Sequence, residues 1–543
     1  MRISSIDITN FRSIGQLSLT PSFRINTLVG KNNVGKSAIF VAIAKLLAWI
    51  KGDHNAFGDD DLRHGQPEKG LIVKCALMLE QHEKAQLVRE LLQQRRLTSD
   101  DVTTIQQKLA FALQSPEIAC EWRDDSKRSY IRLARMFVHH DVFSRHERLG
   151  TRGSRGNLKD FIERLLLPTD PIEAIMNDID FWETPGGLSH VGAMFEQQFR
   201  TFAEFRSRPV PGKSQAIESF QGTETASVLL NLKNHPNPVQ RKKYATICTE
   251  FSSFFPLLSI DAVEVTPSSG IADVQFLESG RTYPIPLGNV GAGLAEILTL
   301  ITNLVGCNGY VFVVEEPESH LHPQAKRRLM QLIRASAMKN QVFVITHDPY
   351  FVDPDHMSSL TRFWITQAGT QQASIGKLLP PKELGKLKTA AKDVAKREMV
   401  FARALLLVED ESQQKIILGF AHTLASGLDA KGVSVVDVGG QDGFGAYIKF
   451  AETFKIPFLC LRDQDWGPPK AKPRKRFRAL GCELEEFLEN AGLGSLMEEA
   501  KTKVGTSKPR VAEYVGGSAS VDQIPAFFRE LLADAVKLAV GRE

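Results

Sequence analysis

Cysteine is scarce and scattered. The six cysteines of this 543-residue chain, at positions 75, 120, 248, 307, 460 and 482, contain no CxxC pair, which argues against a zinc site and against a disulfide framework. They read as reduced thiols, as in a cytoplasmic protein. No run of about 18 apolar residues occurs, so no membrane-spanning helix is expected. The polar, alternating start MRISSIDITNFRS lacks the apolar centre of a signal peptide. A strong charge imbalance is missing too: 67 Lys and Arg against 63 Asp and Glu leave +4, so any nucleic-acid reading must rest on local clusters. What remains, 43% hydrophobic and 24% charged residues, is ordinary for a globular protein. A chain this long exceeds one core, and two or three domains are expected.

The stretch Leu28 to Ser37, LVGKNNVGKS, organises the chain. An apolar run, Ile25 to Val29, leads into Gly30, Asn32, Asn33, Gly35, Lys36 and Ser37, and a helical sequence follows. Glycines let backbone N–H groups close around an anion, lysine reaches the β- and γ-phosphates, and the serine hydroxyl suits Mg²⁺, while the helix N-terminus adds positive potential. Further on, Asn289, Gly291 and Gly293 precede a long apolar helix and offer a second set of backbone donors for phosphate. The run YVFVVEEPESHLHP follows, a buried strand ending in Glu315 and Glu316. One such carboxylate can hold Mg²⁺ while its neighbour orients a water. QVFVITHD supplies another buried strand, ending at His347.

Between these parts, QHEKAQLVRELLQQRRL, TIQQKLAFALQ, LKDFIERLLL and VGAMFEQQFRTFAEF carry apolar residues at helical spacing. They predict a helical insert over 81–257 that splits an ATPase domain into 1–80 and 258–375, with dimerisation as its expected role. A lysine-rich linker, 376–402, then leads to a second domain, 403–543. There, strands and helices alternate, which predicts a parallel sheet. ALLLVEDE ends a strand at Glu409, and IPFLCLRDQD ends another at Asp463 and Asp465. Acids at the carboxyl ends of adjacent parallel strands converge in one crevice and suit Mg²⁺. Beyond them lies a basic run, Lys470, Lys472, Arg474, Lys475, Arg476 and Arg478, placed to neutralise DNA phosphates.

The order of GKNNVGKS, NVGAG, EEPESHLHP and ITHD resembles ABC-type ATPases of the SMC and RecF kind, and EEPExHLHP looks most like the ATPase half of the OLD (overcoming lysogenization defect) family, which includes Gabija-type nucleases. Glu409 with Asp463 and Asp465 resembles a Toprim domain. The resemblance implies an α/β protein: an ABC-type P-loop ATPase with a helical insert, followed by a Rossmann-like Toprim domain. It makes Glu315 the Mg²⁺ acid, Glu316 the base and His347 the switch histidine. It adds Glu483 and Glu485 as metal-site acids and Lys508 as a catalytic lysine. It also implies ATP, Mg²⁺ at both sites with Mn²⁺ as a substitute at the nuclease site, DNA as substrate, and at least a homodimer whose Asn289–Gly293 turn completes the other subunit's phosphate site. A role in anti-phage defence, as in Gabija-like or retron-associated nucleases, and a co-encoded partner follow from the same likeness. Two residues depart from the Toprim pattern: Asp410 stands where a glycine is usual, and Gln413 where a second acid is. The alternative they keep open is a repair ATPase whose Toprim-like half binds DNA without cutting it.

Overall fold

The computed structural model describes residues 1–50, 53, 55–65, 70–80, 82–83, 117–123, 126–133, 136–142, 194–202, 212–213, 225–265, 271–319, 321–463 and 476–541. The chain divides into two compact units, Met1–Phe351 with Phe363–Gln371, and Val352–Arg362 with Gln372–Glu543.

Three short, almost wholly apolar runs form the centre of the first unit. Ile25–Gly30, Gln341–Ile345 and Val311–Glu315 are buried nearly from end to end, as parallel strands covered on both faces must be. They pair in parallel, with Ile345 opposite both Leu28 and Glu315, so all three carboxyl ends lie side by side. The full sheet runs Gly369–Ser374, Leu360–Thr366, Ile25–Gly30, Gln341–Ile345, Val311–Glu315, Phe199–Phe202. Strand alternation divides its side chains between two cores. Val311, Val313, Phe343 and Ile345 face one that contains Ile39, Phe40 and Ile43 of the helix Lys36–Ile50. Phe312, Val314, Val342 and Val344 face another, built with the helices Thr225–Asn234, Pro238–Phe254, Ala292–Gly306 and Pro323–Ser336.

A second, antiparallel sheet packs in the first core, in the order Ile14–Leu19, Arg2–Phe11, Leu71–Met78, Glu117–Arg123, Ser126–Leu133, Met136–Val142. The insert over 81–257, expected to be helical, is therefore not helical throughout its described residues. Its described residues include three strands of this sheet, and VGAMFEQQFRTFAEF forms a short helix at 194–198 followed by the strand Phe199–Phe202. The reason lies in the local pattern: Ile118, Cys120 and Trp122 alternate with Glu117, Glu121 and Arg123, a period of two. Thr225–Asn234 and Pro238–Phe254 are helical, but they share a core with the central sheet. The segments QQKLAFALQ and LKDFIERLLL lie outside the described residues.

The second unit holds a four-stranded parallel sheet in the order Val433–Asp437, Ala404–Val408, Phe458–Arg462, Phe477–Ala479. The helices Glu411–Thr423 and Lys508–Ser518 cross at Gly419 and Gly516, where a Cβ on Gly419 would lie 2.4 Å from the Gly516 carbonyl carbon. The lysine-rich stretch expected as a linker is folded instead. Its helix Pro381–Ala390 buries Leu387 completely and ties Glu383 to Lys449.

One buried side chain joins the antiparallel six-stranded sheet to the strand Gln341–Ile345 of the central sheet. Buried Gln341 accepts from the Ile3 amide at 2.7 Å and donates to the carbonyls of Ile3 at 2.9 Å and Ser22 at 2.8 Å. Gln341→Leu removes the acceptor of the Ile3 amide and a donor to the Ile3 carbonyl, while the Ser22 carbonyl keeps Asn26 Nδ2 at 2.8 Å, and a buried orphaned group costs about 1–3 kcal/mol. The expected result is a loss of roughly 2–4 kcal/mol in denaturant unfolding of this unit; an unchanged midpoint would show that water replaces the amide.

Candidate functional site

The register of the central strands builds a cleft of ≈ 410 Å³ lined by Arg12, Ser13, Asn32, Asn33, Gly35, Lys36, Ser37, Ala38, Glu315, Glu316, Ile345 and His347. Gly30 and Gly35 turn the chain at its floor with φ of 148° and 97°. A Cβ on Gly30 would meet the Phe363 carbonyl at 2.4 Å, and one on Gly35 would meet the Thr370 and Ser13 hydroxyls at 2.5 and 2.6 Å. The loop is thus glycine-bound by space as well as by conformation. Lys36 donates to the carbonyls of Gly30 at 2.8 Å and Lys31 at 2.7 Å, and its ammonium lies 3.3 Å from His347 Nε2. Burial brings its pKa down to about 8 against the pull of Glu316, Glu315 and Glu318. A polyphosphate would supply the direct anionic partner that this ammonium lacks among the described residues.

Ser37 donates to Glu315 at 2.8 Å, which joins the hydroxyl and carboxylate expected around Mg²⁺. Glu316, one residue beyond the strand, is held with φ of 46°, a conformation unusual for a side chain with a Cβ, by its amide bond to the Ile345 carbonyl at 2.8 Å. It is thereby turned into the cleft beside His347. His347 is biased toward its neutral form, first by burial and then by the Lys36 charge. Its backbone is fixed by Glu318, which accepts from the His347 amide at 2.8 Å and from the Thr346 hydroxyl at 2.9 Å.

In the second unit, Glu409 and Asp463 leave adjacent strand ends in contact: the Asp463 amide is 3.3 Å from Glu409 Oε2. Asp463 is pushed up to about 6, first by burial and then by the charges of Glu409, Asp410 and Glu485, although the bond from Gln413 opposes the shift. Clustered hard oxygens carrying uncompensated charge are the donor set that a divalent cation suits. Glu483 and Glu485 are instead engaged by Lys508, at 3.4 and 3.2 Å. Among the described residues no three metal-ligating side chains converge on one point. Asp465 lies outside them.

Three family models match the chain: an AAA ATPase domain over residues 1–149, an AAA domain described as a putative AbiEii toxin of a type IV TA system over 119–353, and an overcoming lysogenization defect protein-like TOPRIM domain over 400–465. An OLD nuclease of Thermus scotoductus is 30% identical over 205 residues, 36% of this chain and 39% of that protein. The chain thus carries an AAA-type ATPase region followed by a region similar to the OLD-like TOPRIM domain. An uncharacterized protein of Methanocaldococcus jannaschii is 26% identical over 239 residues, covering 43% of this chain and 29% of the other. The matches thus span less than two fifths of either relative's length. The solved C-terminal region of the Burkholderia pseudomallei OLD protein is 27% identical, covers 25% of this chain and 99% of its own, and superposes with a TM-score of 0.22.

Of the expected site residues, Asn32, Asn33, Gly35, Lys36, Ser37, Glu315, Glu316 and His347 line one cleft. Asn289, Gly291 and Gly293 do not line it; Asn289 and Gly291 are exposed at the start of the helix Ala292–Gly306. Of the basic run, Lys470, Lys472, Arg474 and Lys475 lie outside the described residues. Arg478 pairs with Asp534 at 2.6 Å, and Arg476 lies over the Phe458 ring at 4.6 Å, so both are engaged within the unit.

Sequence reasoning missed Arg12 and Ser13. Arg12 reaches the cleft from the first hairpin and is anchored by Asp61, at 3.0 Å in the ion pair, while Asp61 also holds Lys45 at 2.6 Å. Glu318 was missed as well, although its place two residues beyond a pair of strand-end acids is visible in EEPES. Glu318→Ala removes the acceptor for Thr346 and His347. It is expected to cost about 1–3 kcal/mol in unfolding of the ATPase unit; no loss would show that the His347 turn stands without it.

Proposed function

We propose that this chain is an ATP-hydrolysing, divalent-metal-dependent DNA endonuclease of the OLD type, acting in prokaryotic anti-phage defence as a homodimer or higher homo-oligomer, with a co-encoded partner. The observation that carries the nuclease reading is the contact of Glu409 with Asp463 at adjacent parallel strand ends, inside the segment that matches an OLD-like Toprim domain. The relative named OLD nuclease supports it.

In the ATPase unit the loop amides and Lys36 bind the β- and γ-phosphates, Ser37 and Glu315 present oxygens toward Mg²⁺, Glu316 orients the attacking water, and neutral His347 donates to the γ-phosphate. In the Toprim unit Glu409, Asp463 and Asp465 would hold Mg²⁺ or Mn²⁺. A divalent cation bound there lowers the pKa of water and draws charge from a phosphodiester. Lys508, kept charged by Glu485 and Glu483, is placed to meet developing negative charge. Lys470, Lys472, Arg474 and Lys475 would neutralise DNA phosphates. Asn289, Gly291 and Gly293 complete the phosphate site of a second subunit.

Purified protein with plasmid and linear DNA, Mg²⁺ or Mn²⁺, and with or without ATP tests the whole reading. Lys36→Ala should reduce ATP turnover roughly a hundredfold or more, and Glu316→Gln should bind ATP normally yet hydrolyse it at least about a hundredfold more slowly. An equal loss of binding in Glu316→Gln would make that residue structural. Asp463→Ala should lose several kcal/mol of transition-state stabilisation, roughly a thousandfold in cleavage, while ATPase activity persists.

One observation favours a second reading, a repair ATPase with a DNA-binding Toprim unit: the amide of Gln413 stands where an acid is usual. Wild-type protein that binds DNA but cuts none with any divalent ion would decide for it. Alanine at Lys470, Lys472, Arg474 and Lys475 should weaken DNA binding uniformly and flatten its salt dependence by about 0.9 in log–log slope for each phosphate no longer neutralised. An unchanged slope would leave the run as a solvated loop.

A further inference from the structure

A buried arginine of the Toprim unit has nothing to donate to. Arg462, the last residue of the strand Phe458–Arg462, is 8% exposed, and its Nε is enclosed without a hydrogen bond. Among the described residues it has neither an acceptor nor an ion-pair partner. Its guanidinium lies against two rings instead, 4.5 Å from the centroid of Phe477 and 5.1 Å from that of Phe444. Ring faces offset part of the cost of burying the charge, but they leave the N–H groups in the guanidinium plane without oxygens.

Phe444 opens the helix Phe444–Thr453, and no side chain caps that end. Helix side chains tilt toward the amino end, so the Phe444 ring brings the guanidinium to the first turn. The loop before it passes through Gly439 and Gly440 at φ of 74° and 94°, with open space where a Cβ would stand on either. The Gly440 amide is tied to the Glu409 carbonyl at 2.7 Å, and Lys386 donates to the Asp442 carbonyl at 2.7 Å. Asp442, the one acid of this loop, is exposed. An uncapped helix start and an arginine without an acceptor call for the same thing, an anion with several oxygens. A phosphate group presents them in the geometry that a guanidinium binds with two parallel bonds.

We propose that Arg462 and the amino end of the helix Phe444–Thr453 bind a phosphate group, and that this group belongs to a nucleic-acid strand laid across the carboxyl ends of the Toprim strands. The inference rests on the reading of this unit as one that acts on nucleic acid. Arg462 directly precedes Asp463, and the glycine loop is bonded to Glu409, so the phosphate sits on the same rim as the two acids but beside them. Arg462 is therefore a positioning residue: it holds the strand where like charge does not oppose it.

The test reads binding of a fluorescein-labelled DNA duplex to the full chain by anisotropy, in EDTA and without nucleotide, over a range of salt. Arg462→Gln should bind roughly tenfold more weakly, with a log–log salt slope flatter by about 0.9, the share of one phosphate contact. Gly445→Asp sets a carboxylate in the open first turn, where helices favour acids. It should keep the thermal midpoint and show the same loss, and wild-type binding by it would overturn the inference even if Arg462→Gln did not fold. A second arm exchanges chloride for inorganic phosphate at fixed ionic strength and follows the thermal midpoint. The phosphate loop of the ATPase unit responds alike in both proteins, so only the part of the rise lost in Arg462→Gln reports this site. That part present, with DNA affinity unchanged, would keep the phosphate site and assign it to a free phosphate ester instead of a strand. Unchanged affinity, slope and phosphate response in Arg462→Gln would overturn the inference and leave the arginine a packing residue. Because no divalent ion is present, cleavage can fail while this binding stands; a wild type that cuts DNA while Arg462→Gln binds it unchanged would remove the strand site and keep the nuclease.

Discussion

The register of three parallel strands decides what the ATPase unit can do. Leu28 and Glu315 both stand opposite Ile345, so the phosphate loop, the acidic pair and the histidine turn leave the sheet at one level. A slip of one residue would exchange the two faces of a strand, moving Val313 and Phe343 out of one core and Phe312 and Val344 into it. The apolar alternation that fills both cores therefore also fixes the distance from Ser37 to Glu315 and from Lys36 to His347. Packing and site geometry are set by the same side chains.

That dependence explains which parts were legible. Glycine spacing, paired acids after an apolar run, and a histidine after another are local signals, and each sits where its strand delivers it. The residues that were missed act across long sequence separations. Arg12 enters the cleft because Asp61, 49 residues away, accepts its guanidinium, and no periodicity announces such a pair. The expected helical insert failed for a different reason. Long charged segments with apolar residues at mixed spacing overshadowed two short alternating runs, Glu117–Arg123 and Ser126–Leu133, the first of which pairs with Leu71–Met78 on the far side of that stretch. The lysine-rich stretch before the second unit misled by composition: between its charges Leu387, Ala391, Met399 and Val400 are fully buried and seat it against the core.

The two units use one topology with opposite charge logic. Each gathers acids at the carboxyl ends of adjacent parallel strands. In the ATPase unit Lys36 sits among Glu315, Glu316 and Glu318, so the acids are partly offset, and among the described residues the ammonium has no anion in direct contact. In the Toprim unit the nearby lysine, Lys508, is held by Glu483 and Glu485, and Asp463 bears the repulsion of Glu409, Asp410 and Glu485 with no basic partner among the described residues.

Gln413 shows how the second unit tolerates this excess. A buried carboxylate facing another acid costs far more than a buried amide that donates to it, because the donor stabilises the charged form and adds no charge of its own. By bonding both the Glu409 backbone and the Asp463 side chain, Gln413 holds the strand ends together when no ion is present. The two acids are thus held in place by the fold itself, with one Asp463 oxygen committed to the amide.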